Sequence, residues 1–506
     1  MARKKKKVRI LEKIRVEDYA AEGRCLARWD GKVVFIERTV PGDLVDVFLF
    51  KNKKDWAEGY PLVFHELSPR RVEPFCSHFE DCGGCQWQSV SYEEQLKFKQ
   101  QQVIDALERI AKVELPEISP ILGGEETRYY RNKLEYTFGV YRYIPEREYK
   151  ASLNPSGGGT LAPENLENPS WFTERKAPPL EGLGQVFQGA AGFHAKGLFD
   201  KIVDIDKCYL QHEPSNQVRE AIRTYTVQNN LSFYDVRHHT GFIRNVQIRV
   251  CTTGETMANV IVGENDETKI HGLLEFLKSA VPAVTTWIYT VNTKKNDSIH
   301  DLTPVNYSGN GYAIEKLAEE TGGKEFRFKI GPKSFFQTNT LQAEQLYRVT
   351  KDFAELTGKE TVYDLYCGTG SIGIFVSSGA KKIIGVEVIE AAIEDAKENA
   401  ALNGLDKTAF FAGDVIDICN DEFFATHGRP DVIITDPPRA GMHAKLVNKI
   451  LEMEAPVVVY VSCNPATQAR DLRLLDEKYK VTKVQPVDMF PHTHHTENVV
   501  QLKLRG

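Results

Sequence analysis

Hydrophobic and polar positions alternate through residues 8–66, as in the runs RILEKIRVED and KVVFIER. Alternation of this kind is typical of a β-strand with one buried face. Asp30-Gly31 lies between two of the runs and predicts a tight hairpin, and Pro41-Gly42-Asp43 predicts another turn. Short strands at this spacing predict a small OB-like β-barrel, a fold that commonly binds oligonucleotides.

The pattern changes after residue 90. Apolar residues recur at helical spacing between residues 92 and 111, which predicts a helix. Residues 150–185 are rich in Gly, Pro and Asn, which is typical of a long surface loop or insertion. From about residue 193 to residue 330, strand-like and helical runs are mixed, so we expect an α/β region there.

Strand-like and helical runs alternate regularly from residue 340 onward. This alternation predicts a doubly wound parallel sheet. Three of the predicted strands end in an acidic residue, namely Glu387, Asp414 and Asp436. Because ligands bind at the carboxyl ends of the strands in such sheets, these carboxylates mark a candidate binding site.

The chain of 506 residues is too long for one hydrophobic core, and the patterns divide it into three domains. We expect the barrel in residues 1–70, a central α/β domain in 71–330 and the doubly wound domain in 331–506. Segment 91–124 is a candidate to pack against the last of these.

The hydrophobic runs are all shorter than the roughly 18 residues of a membrane span, and the basic start lacks the apolar region of a secretory signal. We therefore expect a cytoplasmic protein with no membrane partner, whose cysteines stay reduced. We also expect a monomer.

Charge is distributed unevenly along the chain, whose net charge is −6. Residues 1–75 hold 17 Lys and Arg against 12 Asp and Glu, and the remaining residues hold 47 against 58. A basic first module on an acidic chain is typical of a nucleic-acid-binding appendage. The run Lys4 to Lys7 is equally compatible with a solvated tail, so charge alone leaves both interpretations open.

The segment 364–371 reads DLYCGTGS and follows the first strand of the predicted doubly wound sheet. Gly368 and Gly370 allow close approach of a ligand to the backbone. Glu387 ends the next strand, where it could bind ribose hydroxyls. The dinucleotide fingerprint is incomplete because Ile372 and Gly373 are in the wrong register, so S-adenosylmethionine is a better candidate than NAD.

Cys76, Cys82 and Cys85 lie within ten residues, although the chain has only nine cysteines. Three thiolates are one short of the four that a closed metal site prefers. The spacing leaves zinc and an iron–sulfur cluster equally open. The candidates for a fourth ligand are Cys25, Cys208, Cys251, Cys367 and Cys419.

A second group of metal-ligand types is the run of His492, His494 and His495. It has no carboxylate or cysteine partner at a suitable spacing, so a metal there is disfavoured.

Long motifs in a fixed order extend over most of the chain. They are CxxxxxCGGCxxQ at 76–88, YYRNK at 129–133, GFHxKG at 192–197, VDIxxC at 203–208, SFFQTN at 334–339, DLYCGTGS at 364–371, DPPR at 436–439, SCNPATQARD at 462–471 and DMFPHTHHTE at 488–497. In these motifs the chain resembles the RNA (uracil-5-)-methyltransferases, most closely those that act on 23S ribosomal RNA.

The resemblance implies a TRAM module, which is an OB-like RNA-binding fold, at the N-terminus. It implies a [4Fe–4S] cluster on Cys76, Cys82 and Cys85 with Cys208 as the fourth ligand, and RNA contacts from Arg131 and Lys133. It further implies that six residues line the cofactor and uracil site: Gln337, Tyr366, Ser371, Glu387, Asp414 and Asp436. Two of them depart from the common pattern, since position 366 is usually Phe and position 371 is often Asn.

C5-methylation of uracil requires a nucleophile and a base. Uracil C5 attacks a sulfonium methyl group poorly until a thiolate has added to C6, and the adduct must then lose its C5 proton. Cys463 follows the strand-like run PVVVYVS, and Asn464-Pro465 after it indicates a turn, whereas most cysteines are buried core residues. Cys463 is the predicted nucleophile, and Glu497, in a loop before the last strand, is the predicted base.

Three alternatives remain at this point. The substrate could be transfer RNA. The chain could be an iron–sulfur RNA-binding protein with an inactive methyltransferase fold, although Cys463 and Glu497 are both present. It could be an amino-methyltransferase, since Asp436-Pro437-Pro438 resembles that motif, but such an enzyme would have no use for Cys463.

Overall fold

The computed structural model of the protein describes residues 9–145, 189–320 and 322–506. The predicted insertion at 150–185 and the run Lys4 to Lys7 lie outside the described residues. Within the described ranges, no helix is both long enough and apolar enough to span a bilayer.

Six strands form the N-terminal sheet. They are β1 (Arg9–Arg15), β2 (Asp18–Tyr19), β3 (Cys25–Trp29), β4 (Lys32–Ile36), β5 (Leu44–Asn52) and β6 (Trp56–Glu66). Their order is β1-β5-β6-β4-β3-β2, and only two residues separate β1 from β2 in the chain, so the sheet must curl back on itself. The hairpin predicted at Asp30-Gly31 is confirmed: β3 and β4 pair around these residues, which have φ values of 48° and 73°.

The predicted helix 92–111 is confirmed as α1 (Tyr92–Ala106) followed by one π-helical turn (Leu107–Ala111). Ser91 caps α1 by accepting a hydrogen bond from the Glu94 N–H. Val103 and Leu107 on its inner face are buried in the core of the C-terminal sheet. The helix therefore packs against the C-terminal part of the chain.

A second sheet of seven strands occupies the middle of the chain. Its elements are β7 (Lys133–Gly139), β8 (Ala190–His194), β9 (Ile202–Asp204), α2 (Ser215–Gln228), β10 (Ile243–Val250), β11 (Thr256–Val262), α3 (Glu267–Ala280), β12 (Thr286–Val291) and β13 (Val305–Ser308). The strand order is β13-β12-β11-β10-β7-β8-β9, and only β11 and β12, joined through α3, are parallel neighbours. Phe138, Val246 and Leu273 are at the centre of its core.

The C-terminal part begins with a hairpin. The hairpin consists of β14 (Ala313–Ala318) and β15 (Glu325–Ile330). Leu317, Phe326 and Phe328 are buried in the same core as the strands that follow. This packing favours a catalytic unit that starts at β14, before the predicted boundary at residue 331.

The third sheet contains the predicted strand–helix alternation. Its elements are α4 (Thr340–Ala354), β16 (Thr361–Leu365), α5 (Ser371–Val376), β17 (Lys382–Glu387), α6 (Glu390–Leu402), β18 (Thr408–Ala412), α7 (Val415–Ile418), α8 (Asp421–His427), β19 (Val432–Thr435), α9 (Ala444–Met453), β20 (Val457–Ser462), α10 (Pro465–Leu475), β21 (Tyr479–Val487) and β22 (Glu497–Leu504). Adjacent residues such as Ile433 and Ile434 are buried in different cores on the two faces of the sheet.

The strand order of this sheet is β18-β17-β16-β19-β20-β22-β21. The first five strands are parallel, as predicted, and β22 runs antiparallel to both of its neighbours. The difference arises because no helix separates β21 from β22, and a short connection can join only antiparallel strands. The order reverses between β16 and β19, and the crevice at their carboxyl ends is where such sheets bind ligands.

Candidate active site

The turn between β16 and α5 forms one side of this crevice. Gly368 and Gly370 have φ values of 53° and 76°, and a Cβ atom added to Gly368 would meet no atom within 4 Å. Open space therefore lies above the turn. Glu387, at the end of β17, accepts hydrogen bonds from the N–H groups of Gly368 at 3.4 Å and Ile389 at 3.0 Å. These bonds fix its carboxylate beside the glycine turn.

Three more of the predicted cofactor residues surround the turn. Tyr366 has a φ of 61°, and burial together with the negative charges of Asp414 and Glu387 raises the pKa of its phenol. Asp414 is exposed and caps α7 through the Ile416 N–H at 2.9 Å. Ser371 begins α5, and its hydroxyl is 2.8 Å from that of Tyr347.

Gln337 is buried in the loop before α4. Its main-chain carbonyl accepts a hydrogen bond of 2.8 Å from the side-chain amide of Asn132, which also donates to the Thr340 hydroxyl at 2.9 Å. Asn132 belongs to the YYRNK motif, so this motif holds the Gln337 loop in place.

The predicted nucleophile and base are on neighbouring strands. Ser462 of β20 pairs with Asn498 of β22, and Cys463 and Glu497 are the residues next to this last pair of the antiparallel ladder. The sequence predicted Glu497 in the loop before the last strand, but Glu497 is the first residue of β22. Sequence positions 34 residues apart are thus brought together at the carboxyl end of β20.

Charges converge on this pair. Burial raises the pKa of Cys463 to about 12; the carboxyl groups of Glu497 and Asp436 add to the increase, and the Arg439 guanidinium opposes it. Burial also raises the pKa values of Asp436 and Glu497 above their usual range, and Arg439 again opposes the increase at Glu497. Asp436 directly follows β19, which lies beside β20. The protonation of Cys463, Asp436 and Glu497 is therefore linked, and Arg439 favours the ionised forms of Cys463 and Glu497.

Two residues of this region were not predicted. Asp364, inside β16, is buried, accepts the Gly373 N–H at 2.9 Å, and has its pKa raised to about 7 by burial and by Asp436 and Glu387. Arg439 is exposed at the mouth of the site. Asp364 lies in the motif DLYCGTGS and Arg439 in the motif DPPR, and membership of these motifs could have marked both as candidate site residues.

The four predicted cluster ligands line one cavity of about 440 Å³ together with Arg131 and Lys133. Cys76, Cys82 and Cys85 come from the segment between the N-terminal sheet and α1, and Cys208 follows β9. Burial raises the pKa of Cys208 to about 12, and the positive charge of Arg131 opposes this increase. The cavity therefore combines four thiols with three cationic side chains, those of Arg131, Lys133 and Lys207.

A single metal ion has no preformed site in the part of the chain that the structure describes, where no group of three or more His, Cys, Asp or Glu side chains could hold one. This finding covers the four cysteines and also His492, His494 and His495. The predicted cluster thus stays a prediction. Arg131 and Lys133, predicted to contact RNA, line the cysteine cavity, and their contact with RNA stays a prediction.

Fold and site define a class: the protein is a methyltransferase of the Rossmann-like type, and its cofactor is S-adenosylmethionine. The family model described as tRNA (Uracil-5-)-methyltransferase matches residues 309–505. A Bacteroides thetaiotaomicron protein named as an RNA methyltransferase is 47% identical over 489 residues, which cover 96% of this chain and 100% of the relative. A protein with the same name from Porphyromonas gingivalis is 45% identical, over 96% of this chain and 98% of the relative.

The chain accordingly belongs to the RNA uracil-5-methyltransferase family, which confirms the resemblance. Its fold is similar to the crystal structure of Pyrococcus abyssi tRNA (uracil-54, C5)-methyltransferase in complex with S-adenosyl-L-homocysteine, with a TM-score of 0.68 and 24% identity. The similarity covers 97% of this chain and 99% of that one. A strand-rich N-terminal region and a C-terminal methyltransferase fold are common to both.

Proposed function

We propose that the protein methylates C5 of a specific uridine in 23S ribosomal RNA, producing 5-methyluridine. The observation that carries this proposal is that Cys463 and Glu497 both adjoin the paired residues Ser462 and Asn498, with Asp436 directly after the neighbouring strand β19. The reaction needs a thiolate and a base around one uracil ring, and the two strands present both groups at the same edge of the sheet.

The residues act in sequence. Cys463 transfers its thiol proton to solvent and its sulfur adds to C6 of the uracil, which makes C5 nucleophilic. S-adenosylmethionine, when bound, supplies the electrophilic methyl group that C5 takes. The ionised Glu497 then removes the remaining proton from C5, the C5–C6 double bond reforms, and the bond between C6 and the Cys463 sulfur breaks. Arg439 favours the thiolate before addition because its positive charge lowers the pKa of Cys463.

The cofactor would be held by Gln337, Tyr366, Ser371, Glu387, Asp414 and Asp436. The open space above Gly368 and the fixed carboxylate of Glu387 support this assignment. The exposed Asp414 leaves oxygen atoms available to a ligand.

We further propose that Cys76, Cys82, Cys85 and Cys208 hold a [4Fe–4S] cluster. All four line one cavity, and Arg131 and Lys133 beside them would balance the negative charge of a cluster bound by four thiolates. Methyl transfer moves no net electrons, so the cluster would be structural or would contact RNA.

Iron content tests the cluster. Protein purified without oxygen is expected to be brown and to hold about four irons per chain. Cys208→Ser should lose the colour and the iron, whereas Cys251→Ser, a buried cysteine outside the cavity, should keep both. Stoichiometric zinc in place of iron would refute the cluster.

Transfer RNA is the second candidate substrate, because the matching family model carries the description of a tRNA enzyme. The barrel-like N-terminal residues 1–70, proposed as a TRAM module, would bind either RNA, and the enzyme would act as a monomer.

Release of tritium from RNA labelled at uridine C5 tests both the reaction and the substrate. We expect release from 23S ribosomal RNA and not from transfer RNA, with none from the Cys463→Ala variant. Release from transfer RNA alone would reassign the substrate. Methyl incorporation without tritium release would contradict C5 chemistry and favour an amino-methyltransferase.

A further inference from the structure

The predicted base directly follows a loop that forms hydrogen bonds with distant parts of the chain. Residues 488–496, here named the base loop, connect β21 to β22 and lead directly into Glu497. At the start of the loop, Asp488 pairs with Lys99 of α1 at 2.5 Å. Farther along, the Tyr130 hydroxyl donates to the Pro491 carbonyl at 3.0 Å. The loop is therefore positioned by elements hundreds of residues away in sequence.

The cysteine-bearing segment makes the contacts closest to the base. The N–H groups of Gln86 and Trp87, directly after Cys85, donate to the His492 carbonyl at 2.8 and 3.1 Å. The side-chain oxygen of Gln86 accepts hydrogen bonds from the main-chain N–H of His494 at 3.3 Å and from its ring Nδ1 at 2.5 Å. Gln86 thus binds the base loop at two residues.

The His494 contact is the last one before the base. Among the residues that the structure describes, His494 is the base-loop residue nearest to Glu497 that forms a hydrogen bond with a side chain from outside the loop. Beyond it, Glu497 enters the sheet by pairing with Val487. The Gln86 side chain therefore restrains the final residues of the loop.

The N-terminal sheet covers the same contact. The Trp87 indole N–H points at the Gly23 carbonyl, 3.4 Å away. A Cβ atom at Gly23 would lie 3.3 Å from the Gln86 side-chain oxygen and 3.4 Å from the His494 Cβ. Three separate parts of the chain meet at the Gln86–His494 hydrogen bonds.

The nucleophile is held independently. Ser462 and Asn464 on either side of Cys463 are hydrogen-bonded to each other, and Asn464 caps α10 by accepting the Ala466 N–H at 3.1 Å. None of these bonds involves the base loop or Gln86. A change at Gln86 can therefore displace Glu497 without displacing Cys463.

We propose that Gln86 is a positioning residue for the base: through His494 it fixes Glu497, so that proton removal from C5 depends on it more than formation of the Cys463 adduct does. This inference rests on the roles proposed above for Cys463 and Glu497. It also gives the cysteine-bearing segment a function, because a ligand that fixes the position of Cys85 also restrains the neighbouring Gln86.

The test separates the two halves of the reaction. Single-turnover reactions with substrate RNA and S-adenosylmethionine are stopped in denaturant, and the covalent RNA–protein band is followed with time. Gln86→Leu should form the band at nearly the wild-type rate and lose it about 10- to 100-fold more slowly, because a misplacement of about 1 Å costs on this order. Gln86→Glu keeps an acceptor oxygen for His494 and should restore rapid decay.

Gln101→Leu is the matched control, since Gln101 is exposed on α1 and its side chain donates a hydrogen bond to Asp105 in the same helix. It should behave as the wild type. His494→Leu removes the other side of the ring hydrogen bond and should slow decay of the band as Gln86→Leu does, with the double variant no slower than either single one. This second variant keeps the test valid if Gln86→Leu fails to fold.

Glu497→Gln, measured in parallel, distinguishes the two possible failures. If Glu497→Gln traps the band but Gln86→Leu and His494→Leu release it as quickly as the wild type, or slow both halves equally, the positioning role is wrong. If Glu497→Gln traps no band, the proposed function itself is wrong and the inference falls with it.

Discussion

Buried carboxyl groups are the least expected residues of this protein. Asp364 and Glu497 are buried on β16 and β22, Asp436 is half-buried directly after β19, and desolvation raises the pKa of each. Ionisation of one is opposed by the charge of the next, as at Glu497 beside Asp436. Such an arrangement costs stability when the groups ionise, which is typical of a functional site and not of a structural core.

Asp364 allows this cost to be measured. Asp364→Asn keeps an oxygen for the Gly373 N–H but cannot ionise. The folded pKa of Asp364, about 7, lies above the unfolded value of about 4. Protonated Asp364 therefore makes its full contribution to the free energy of unfolding below pH 4, and this contribution is lost as the pH rises through 7. The variant should therefore gain stability relative to the wild type by up to roughly 4 kcal/mol between pH 4 and 8.

Urea unfolding at several pH values checks this prediction. Asp352→Asn, at an exposed position of α4, is the control variant and should differ little in stability from the wild type. A pH-independent difference for Asp364→Asn as well would mean that the pKa of Asp364 is the same in the folded and the unfolded protein.

The acidic residues at strand ends were predictable as site residues from the sequence, but Asp364 was not. Glu387 and Asp436 follow apolar runs, so their location is readable from the pattern alone. Asp364 is embedded in a strand, and what distinguishes it is the proximity of other acids on neighbouring strands, which only the folded sheet creates.

At the scale of elements, the contact of α1 with the base loop depends on a buried ion pair. Lys99 and Asp488 are both fully buried, with their charged atoms 2.5 Å apart. Asp488 also accepts the Tyr92 hydroxyl at 2.9 Å. Removing one partner of such a pair leaves an unpaired buried charge, whereas removing both does not.

Lys99→Met should lower the free energy of unfolding by roughly 3–5 kcal/mol, because Asp488 stays buried without its counter-charge. Adding Asp488→Asn should restore part of this loss. Lys97→Met is the matched control on the same helix: the Lys97 side chain, which pairs with Glu94, is 70% exposed, and the expected change is below about 1 kcal/mol. Equal losses for Lys99→Met and Lys97→Met in thermal or urea unfolding would contradict the account.

The helix itself was predictable and its lysine was not. Apolar periodicity locates α1, but Lys99 lies in the mainly polar run KFKQQQ, which predicts a solvent-facing side chain. It is buried because Asp488, 389 residues away, supplies the opposite charge. The antiparallel direction of β22 was missed for a related reason, since the hydrophobic pattern of a strand does not encode its direction.

At the scale of the whole molecule, separate parts of the chain converge on two centres. Strand ends from β16 to β22 meet at the Cys463–Glu497 site, and residues 76–85 meet Cys208 at the cysteine cavity. Local clustering revealed three of the four cysteines, but the spacing left five candidates for the fourth. The choice of Cys208 required the family resemblance.

The uneven charge of the chain predicts how RNA is bound. Replacing Lys4 to Lys7 with Gln removes four positive charges from the basic N-terminal region. Affinity for substrate RNA should fall at low salt, and the slope of log K against log salt should decrease by about 0.7 to 0.9 for each phosphate that the protein no longer neutralises. Binding assays over a salt series measure both, and affinity for S-adenosylmethionine, measured calorimetrically, should not change. An unchanged slope would identify the run as a solvated tail.

The central claim is that Cys463 and Glu497 divide the reaction between them, and trapping of the covalent intermediate tests it most directly. Glu497→Gln and Cys463→Ala are each mixed with S-adenosylmethionine and substrate RNA, resolved on a denaturing gel, and the slow band is digested for mass spectrometry. We predict that Glu497→Gln accumulates a band that requires both S-adenosylmethionine and RNA, with a methylated uridine attached to the Cys463 peptide, and that Cys463→Ala forms none. Normal turnover by Glu497→Gln, or a band that persists in Cys463→Ala, would contradict the account.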